Sequence, residues 1–287
     1  MSEIDRKLTM DGIDIPARSL HAAREVSMRF DLHMPLGGDP ARMPPDLREN
    51  AELSEAIHKW YQDNYGDRLN EDPCPGHSVL LLDGDLYTLR VPRLFGSVEF
   101  VVTREWLPEP GISRAPVTAN IVQLIADMTP SRAARLSDEA LRHIAEGFER
   151  ALPASYALES TDHALMYSAR GDVDVAVRSL MEPGERFGAS KWASLQATEK
   201  VLKAAIELEG AQFEFTHNLA KLQTVLADAG ITIDADKQIA SIQCTPGIRY
   251  GEEACSRDEA LAAHHAQLDL VNLLYRAGAK FELGIGN

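Results

Sequence analysis

The chain is poor in aromatic residues, poor in cysteine, and has no long apolar run, and each scarcity removes a class of protein. Aromatics make up 6% of its 287 residues, so the core must come from Leu, Val, Ile and Ala, a mix that favours helices. Three cysteines, Cys74, Cys244 and Cys255, are odd in number, far apart and without CxxC spacing. That excludes a disulfide framework and the usual structural zinc clusters, so neither a metal nor a cofactor is expected and the thiols read as reduced. The longest apolar stretch, Val79 to Leu82, is far too short to cross a membrane.

Basic charge is also scarce. Against 44 Asp and Glu stand 29 Lys and Arg, a formal charge of −15. Broad binding to nucleic acid or to anionic membrane is thereby excluded, because polyanions need a basic surface; a local basic site stays open. The opening Met1-Ser-Glu-Ile-Asp-Arg-Lys-Leu has no apolar run of the signal-peptide kind, and the expected location is the cytoplasm. A hydrophobic fraction of 45% with 25% charged residues fits a globular protein of one large or two ordinary domains.

The N-terminal half mixes two periods. Pro35, Gly37, Gly38, Pro40, Pro44 and Pro45 crowd eleven positions and predict a loop or surface wrap. Leu53, Ile57, Trp60, Tyr61 and Tyr65 then predict a helix from about Asn50 to Gly66. His77 to Leu82 and Leu86 to Val91 flank Asp83-Gly84, a tight-hairpin signal, and Ser97 to Arg104 reads as a third strand. Pro108, Pro110, Gly111 and Pro116 mark another loop. Asn120 is placed to cap a short helix through Met128, Thr129-Pro130 to stop and restart it, and Ser137 to open a helix ended by Pro153. Residues 1–153 are therefore expected to form an α+β domain with a three-stranded antiparallel sheet.

From residue 154 to 287 strand signals vanish. Apolar residues at helical spacing predict a helix from about Leu158 to Met181, then Ala189 to Leu208, Asn218 to Asp228, a turn or two within Ile231 to Ser241, a loop at Thr245-Pro-Gly, and a last helix from the cap Ser256 to Arg276. Four pieces of this half carry a resemblance. They are the opening helix from Asp162-His-Ala-Leu, the small-residue helix Ala189 to Ala204 with Glu199-Lys-Val-Leu-Lys203, the Thr216-His217-Asn218-Leu219 that opens the next helix, and Arg249-Tyr250 followed by Ser256-Arg-Asp-Glu-Ala. In order and spacing this half, about 155–285, resembles the HEPN domain, a four- or five-helix bundle. The first 150 residues carry no comparable likeness.

The resemblance implies a dimerising bundle and, as partners, a nucleotide or RNA, a nucleotidyltransferase or an antitoxin. Ribonucleases of the HEPN class carry an Arg followed four to six residues later by His, and Arg257-x6-His264 meets this at the longest spacing, with Asp258 after the Arg as in catalytic members. The final helix start also resembles the branch that lacks the motif. Seven residues place the two side chains on one helix face about 10 Å apart along the axis. A two-fold dimer could bring one copy's Arg257 to the other's His264, histidine moving the proton and arginine holding the phosphoryl charge without a metal.

Read without the family, Glu199 and Lys203 form an i,i+4 pair on a solvated face, with Lys200 and Lys203 as a possible phosphate contact. His217 should pack on the bundle and bond a backbone group, and Arg249-Tyr250 should anchor their loop. His264 and His265 diverge by about 100° and make a poor metal pair. Two functions stay open: a non-enzymatic helical binding module tied to nucleotide or RNA handling, or a metal-independent ribonuclease of the toxin or defence kind. With 12 basic against 19 acidic residues in 154–287, charge favours the first.

Overall fold

The structure is a computed structural model that describes residues 1–35, 40–69, 74–94, 96–108, 116–184, 186–213 and 215–284. Gly37, Gly38, Pro110 and Gly111 of the expected loops lie outside the described residues. The chain divides into two compact units, Met1–Pro73 and Cys74–Asn287. The division falls at 73/74 and not at 153. A helix runs unbroken through Pro153, and its faces pack on both the hairpin and the last helix, so a boundary there would split one core.

Among the described residues of the N-terminal unit every regular element is helical. The unit comprises α1 (Ser2–Met10), α2 (Ile15–Phe30) and α3 (Pro45–Tyr65), with 3-10 turns at Pro40–Arg42 and Gly66–Leu69. Pro16 and Pro45 sit in first turns, where a missing N–H costs nothing. The helix expected from Asn50 starts at Pro45, and two more that the sequence pattern did not predict precede it. Ile4 and Leu8 on α1 meet Ala22, Ala23 and Val26 on α2 and Ile57 and Tyr61 on α3. Polar clips surround that small core: the Tyr65 hydroxyl donates to Asp5 Oδ2 at 2.7 Å, and Arg18 donates to the Tyr65 oxygen at 3.2 Å.

The second unit opens with β1 (Gly76–Leu82) and β2 (Asp85–Val91), antiparallel from Gly76↔Val91 to Leu82↔Asp85. Asp83 and Gly84 both take positive φ, 52° and 95°, as a two-residue hairpin requires. The third strand does not join this pair. β3 (Val98–Val101) runs parallel to β4 (Val117–Asn120) in a separate two-stranded sheet, so the three-stranded antiparallel sheet is corrected to two pairs. Asn120 explains part of the change. Its side chain accepts from Val122 N to open a 3-10 turn, Ile121–Leu124, and donates to the carbonyls of Thr103 and Glu105, fastening the chain after β3.

Seven helices follow: α4 (Pro130–Ala133), α5 (Asp138–Ser160), α6 (Ala164–Met181), α7 (Phe187–Leu208), α8 (Leu219–Asp228), α9 (Asp236–Ile242) and the single turn α10 (Gly247–Tyr250); α11 (Arg257–Arg276) closes the unit. Side-chain caps start five of them. Thr129, Ser137, His163, Asn218 and Ser256 each accept a first-turn N–H, and Ser256 with Glu259 completes a capping box. Pro153 was expected to end α5. It sits inside the helix instead, and Ala151, Ala154, Ala157 and Leu158 around it are buried, which offsets the lost hydrogen bond.

One core runs from the hairpin into the bundle. Leu80, Leu82 and Leu89 meet Ile144 and Phe148 of α5, and the same cluster continues through Leu195 and Leu202 of α7 to Leu268 and Val271 of α11. At Gly147 the hairpin comes close to α5: a Cβ there would lie 2.3 Å from Leu80 Cδ2. No helix among the described residues is long and apolar enough to cross a membrane.

Candidate functional site

Arg257 and His264 lie on α11 as the spacing predicts, but the fold gives them unrelated surroundings. Arg257 is the first helical residue, and its Nη1 donates to the Gly84 carbonyl at 2.8 Å, tying the helix start to the hairpin turn. His264 is 0% exposed, with Nε2 3.2 Å from Ser78 Oγ on β1 and Nδ1 without a hydrogen-bond partner among the described residues. Burial pushes its pKa down to about 3, and His265 and Arg150 add to that push. A ring sealed this way is neutral and out of reach of a phosphodiester.

Nor does α11 offer a face to a twin. It packs on α5, α6, α7, α9 and β1 of its own chain, and between its ends Ala262 is its one exposed residue. The composite dimer site read from Arg257 and His264 therefore has no surface on which to assemble. His265 Nε2 donates to the Val79 carbonyl at 2.8 Å, and burial again lowers its pKa. Both histidines fasten α11 to β1.

The structure brings other motif residues together along α7. Glu199 and Lys203, one turn apart, are both buried, and Lys203 Nζ lies 2.6 Å from Glu199 Oε1. The second carboxylate oxygen accepts from His217 Nδ1 at 2.6 Å. Lys203 also sits 5.1 Å above the Phe213 ring and 5.9 Å above that of Phe215, close enough for cation–π attraction. The His217 ring is 6.2 Å from Trp192, two turns before Glu199 on α7.

These contacts replace two expectations. His217 does not pack inward on a backbone group; its side chain is largely exposed and bonds a carboxylate. Lys200 and Lys203 do not await a phosphate, because Lys200 pairs with Asp172 and Lys203 with Glu199. Burial raises the Asp172 pKa, and the Lys200 bond opposes the rise.

The segment entering α8 is thus held at many points. Thr216 Oγ1 accepts from Asn218 N, Asn218 caps α8, and Gln243 bonds both Leu219 N and the His217 carbonyl. Phe215, 99% exposed, projects from this pinned segment. A second projection stands on α10, where Ile248 is buried and its carbonyl presses on Gly188 of α7. Arg249 and Tyr250 were expected to anchor that turn; Ile248 does so, while Arg249 stacks over an exposed Tyr250 at 5.7 Å.

Phe213, Phe215 and Trp192 were missed as partners of the motif residues. Their spacing in sequence signals only helix and loop; the exposure of Phe215 appears only once its neighbours are placed. Among the described residues no group of three or more His, Cys, Asp or Glu could hold a metal ion. No family model, no curated protein and no solved structure matches the chain.

Proposed function

We propose that the C-terminal unit is a HEPN-like helical interaction module, not a nuclease, that serves a nucleotide- or RNA-handling assembly through the face along α7. One observation carries this reading: the histidine that the Arg-x6-His motif would use is sealed and held neutral, while the accessible polar and aromatic groups stand elsewhere. Support for the HEPN-like reading is the grouping of its motif residues. Glu199 and Lys203 meet His217 in one cluster, and Arg249-Tyr250 stands on a turn packed against the same helix. Rigid exposed aromatics on pinned segments suit a protein partner such as a nucleotidyltransferase or an antitoxin, because little entropy remains to be lost on docking.

The net charge argues the same way, since a chain at −15 repels free RNA. The test is a cleavage assay on a fluorescein-labelled single-stranded RNA in the presence of EDTA, with wild type beside His264→Ala. Neither protein should cut, and expression of either should leave cell growth equal. Cleavage by wild type that His264→Ala abolishes would overturn the reading in favour of the metal-independent ribonuclease. In co-expression with the product of the adjacent gene, Phe215→Asp should reduce co-purification by about tenfold or more.

A further inference from the structure

Helix α6 turns one face outward along its whole length. Met166, Ala169, Val173, Ala176 and Leu180 point into the unit and are buried. Opposite them, Ala164, Tyr167, Gly171, Val175 and Arg178 fall at i, i+3, i+7, i+11 and i+14, one line along the helix. All five are exposed, Tyr167 at 80% and Val175 at 41%. In a chain whose residues are 25% charged, this line holds no charge before Arg178. Two large apolar side chains stand on it with Gly171 midway between them, and nothing lies within 4 Å of where a Cβ at Gly171 would be.

Two features say what covers this face. The first is symmetry. Tyr167 and Val175 lie four residues either side of Gly171, and Ala164 and Arg178 lie seven, about 10 Å along the axis. A second α6 running antiparallel and crossing at Gly171 sets each Tyr167 against the other copy's Val175, and each Arg178 beside the other copy's Ala164. The second feature is charge. Ala164 and Tyr167 line a cleft of about 560 Å³ at the head of α6, together with Glu159, Asp162 and Arg170. Glu159 is paired with Arg170 and Arg93, whereas Asp162 is exposed and has no ion-pair partner among the described residues. Arg178, exposed in the last turn, equally lacks one among the described residues. An unpaired acid at one end and an unpaired base at the other complement each other in an antiparallel self-contact, while a parallel one would set like charge against like.

We propose that a second copy of this chain covers α6, the two helices antiparallel about a two-fold axis at Gly171. Arg178 of each copy enters the cleft of the other and pairs with Asp162, so the cleft is complete only in the dimer. Gly171 leaves room for the crossing, burial of Tyr167 and Val175 supplies the attraction, and the two ion pairs fix the direction. One helix face per copy is a small interface, so a dimer Kd of about 1–100 µM is expected. The pairing rests on α6 alone and is independent of the reading of the α7 face.

Sedimentation equilibrium on the full chain, between about 1 and 300 µM, tests it. Wild type should pass from monomer to dimer in that range. Tyr167→Glu and Val175→Glu should each raise the dimer Kd by about tenfold or more with unchanged far-UV circular dichroism. Both positions are open in the single chain, so the fold should tolerate them. Arg178→Asp should weaken the dimer, and adding Asp162→Arg should restore it. A wild type monomeric throughout, a dimer indifferent to Tyr167→Glu and Val175→Glu, or a charge swap that restores nothing would each overturn the proposal.

Discussion

Two helices of nearly equal length are used in opposite ways. α11, 20 residues, buries eleven of them; α3, 21 residues, buries three. α11 is enclosed by four helices and a strand, whereas α3 packs on α1, α2 and two 3-10 turns. Length and apolar spacing are similar in both, so what separates them is how many neighbours the fold supplies. A stripe on α11 becomes interior and seals even a histidine; a stripe on α3 stays half open.

That contrast can be tested where it should be strongest. Leu202→Ala on α7, at a site with no exposure, should cost about 2–5 kcal/mol by leaving a cavity in the large core. Phe30→Ala removes a bigger side chain but an open one, and in dilute monomer should cost less than about 0.5 kcal/mol. Denaturant titration reads both, with Trp60 as the one tryptophan of the N-terminal unit and Trp106 and Trp192 reporting the other. A Phe30 effect as large as that of Leu202 would erase the distinction.

Acid should strike the enclosed helix next. The His264 pKa falls from 6.5 to about 3 on folding, so below 6.5 the unfolded chain binds a proton that the folded chain refuses. Its contribution is complete above pH 6.5 and is lost as pH falls towards 3, at about 1.4 kcal/mol per pH unit. His264→Gln should flatten that dependence by about one proton between pH 6 and pH 4, read from denaturation midpoints. An unchanged slope would mean that the ring is hydrated.

The smallest contrast is between two glycines. A Cβ at Gly188 would lie 2.2 Å from the Ile248 carbonyl oxygen, a backbone atom, so Gly188→Ala should destabilise by about 1–3 kcal/mol and loosen α10. Gly171, inside α6, has nothing near it, and Gly171→Ala should stabilise by about 0.5–1 kcal/mol. Melting temperatures of the two variants should therefore move in opposite directions.

Legibility followed the range of the interaction. Ser137 and Ser256 were readable as caps and Asp83-Gly84 as a turn because each acts on residues within about four positions. Pro153 misled because its local penalty is outweighed by burial on both sides. The partner of β3 was unreadable, since four-residue parallel strands carry little pattern of their own and need a crossover. At the candidate site, the i,i+4 pair Glu199 and Lys203 was visible, but its burial was not. His217 was read as inward because a histidine beside a cap has no local mark for exposure.

The sequence by itself determined the mostly helical character, the hairpin turn, the starts of α5, α8 and α11 and the acidic balance, all properties of neighbouring residues or of composition. Only the tertiary structure decided that Pro153 lies within one core, that Glu199 holds both Lys203 and His217, and that Phe215 stands out. It also sealed His264, through Ser78, a residue 186 positions away. Desolvation is the reason. Whether a polar group is reactive, structural or mute depends on how much water remains around it, and that is set by chain segments that no local pattern names.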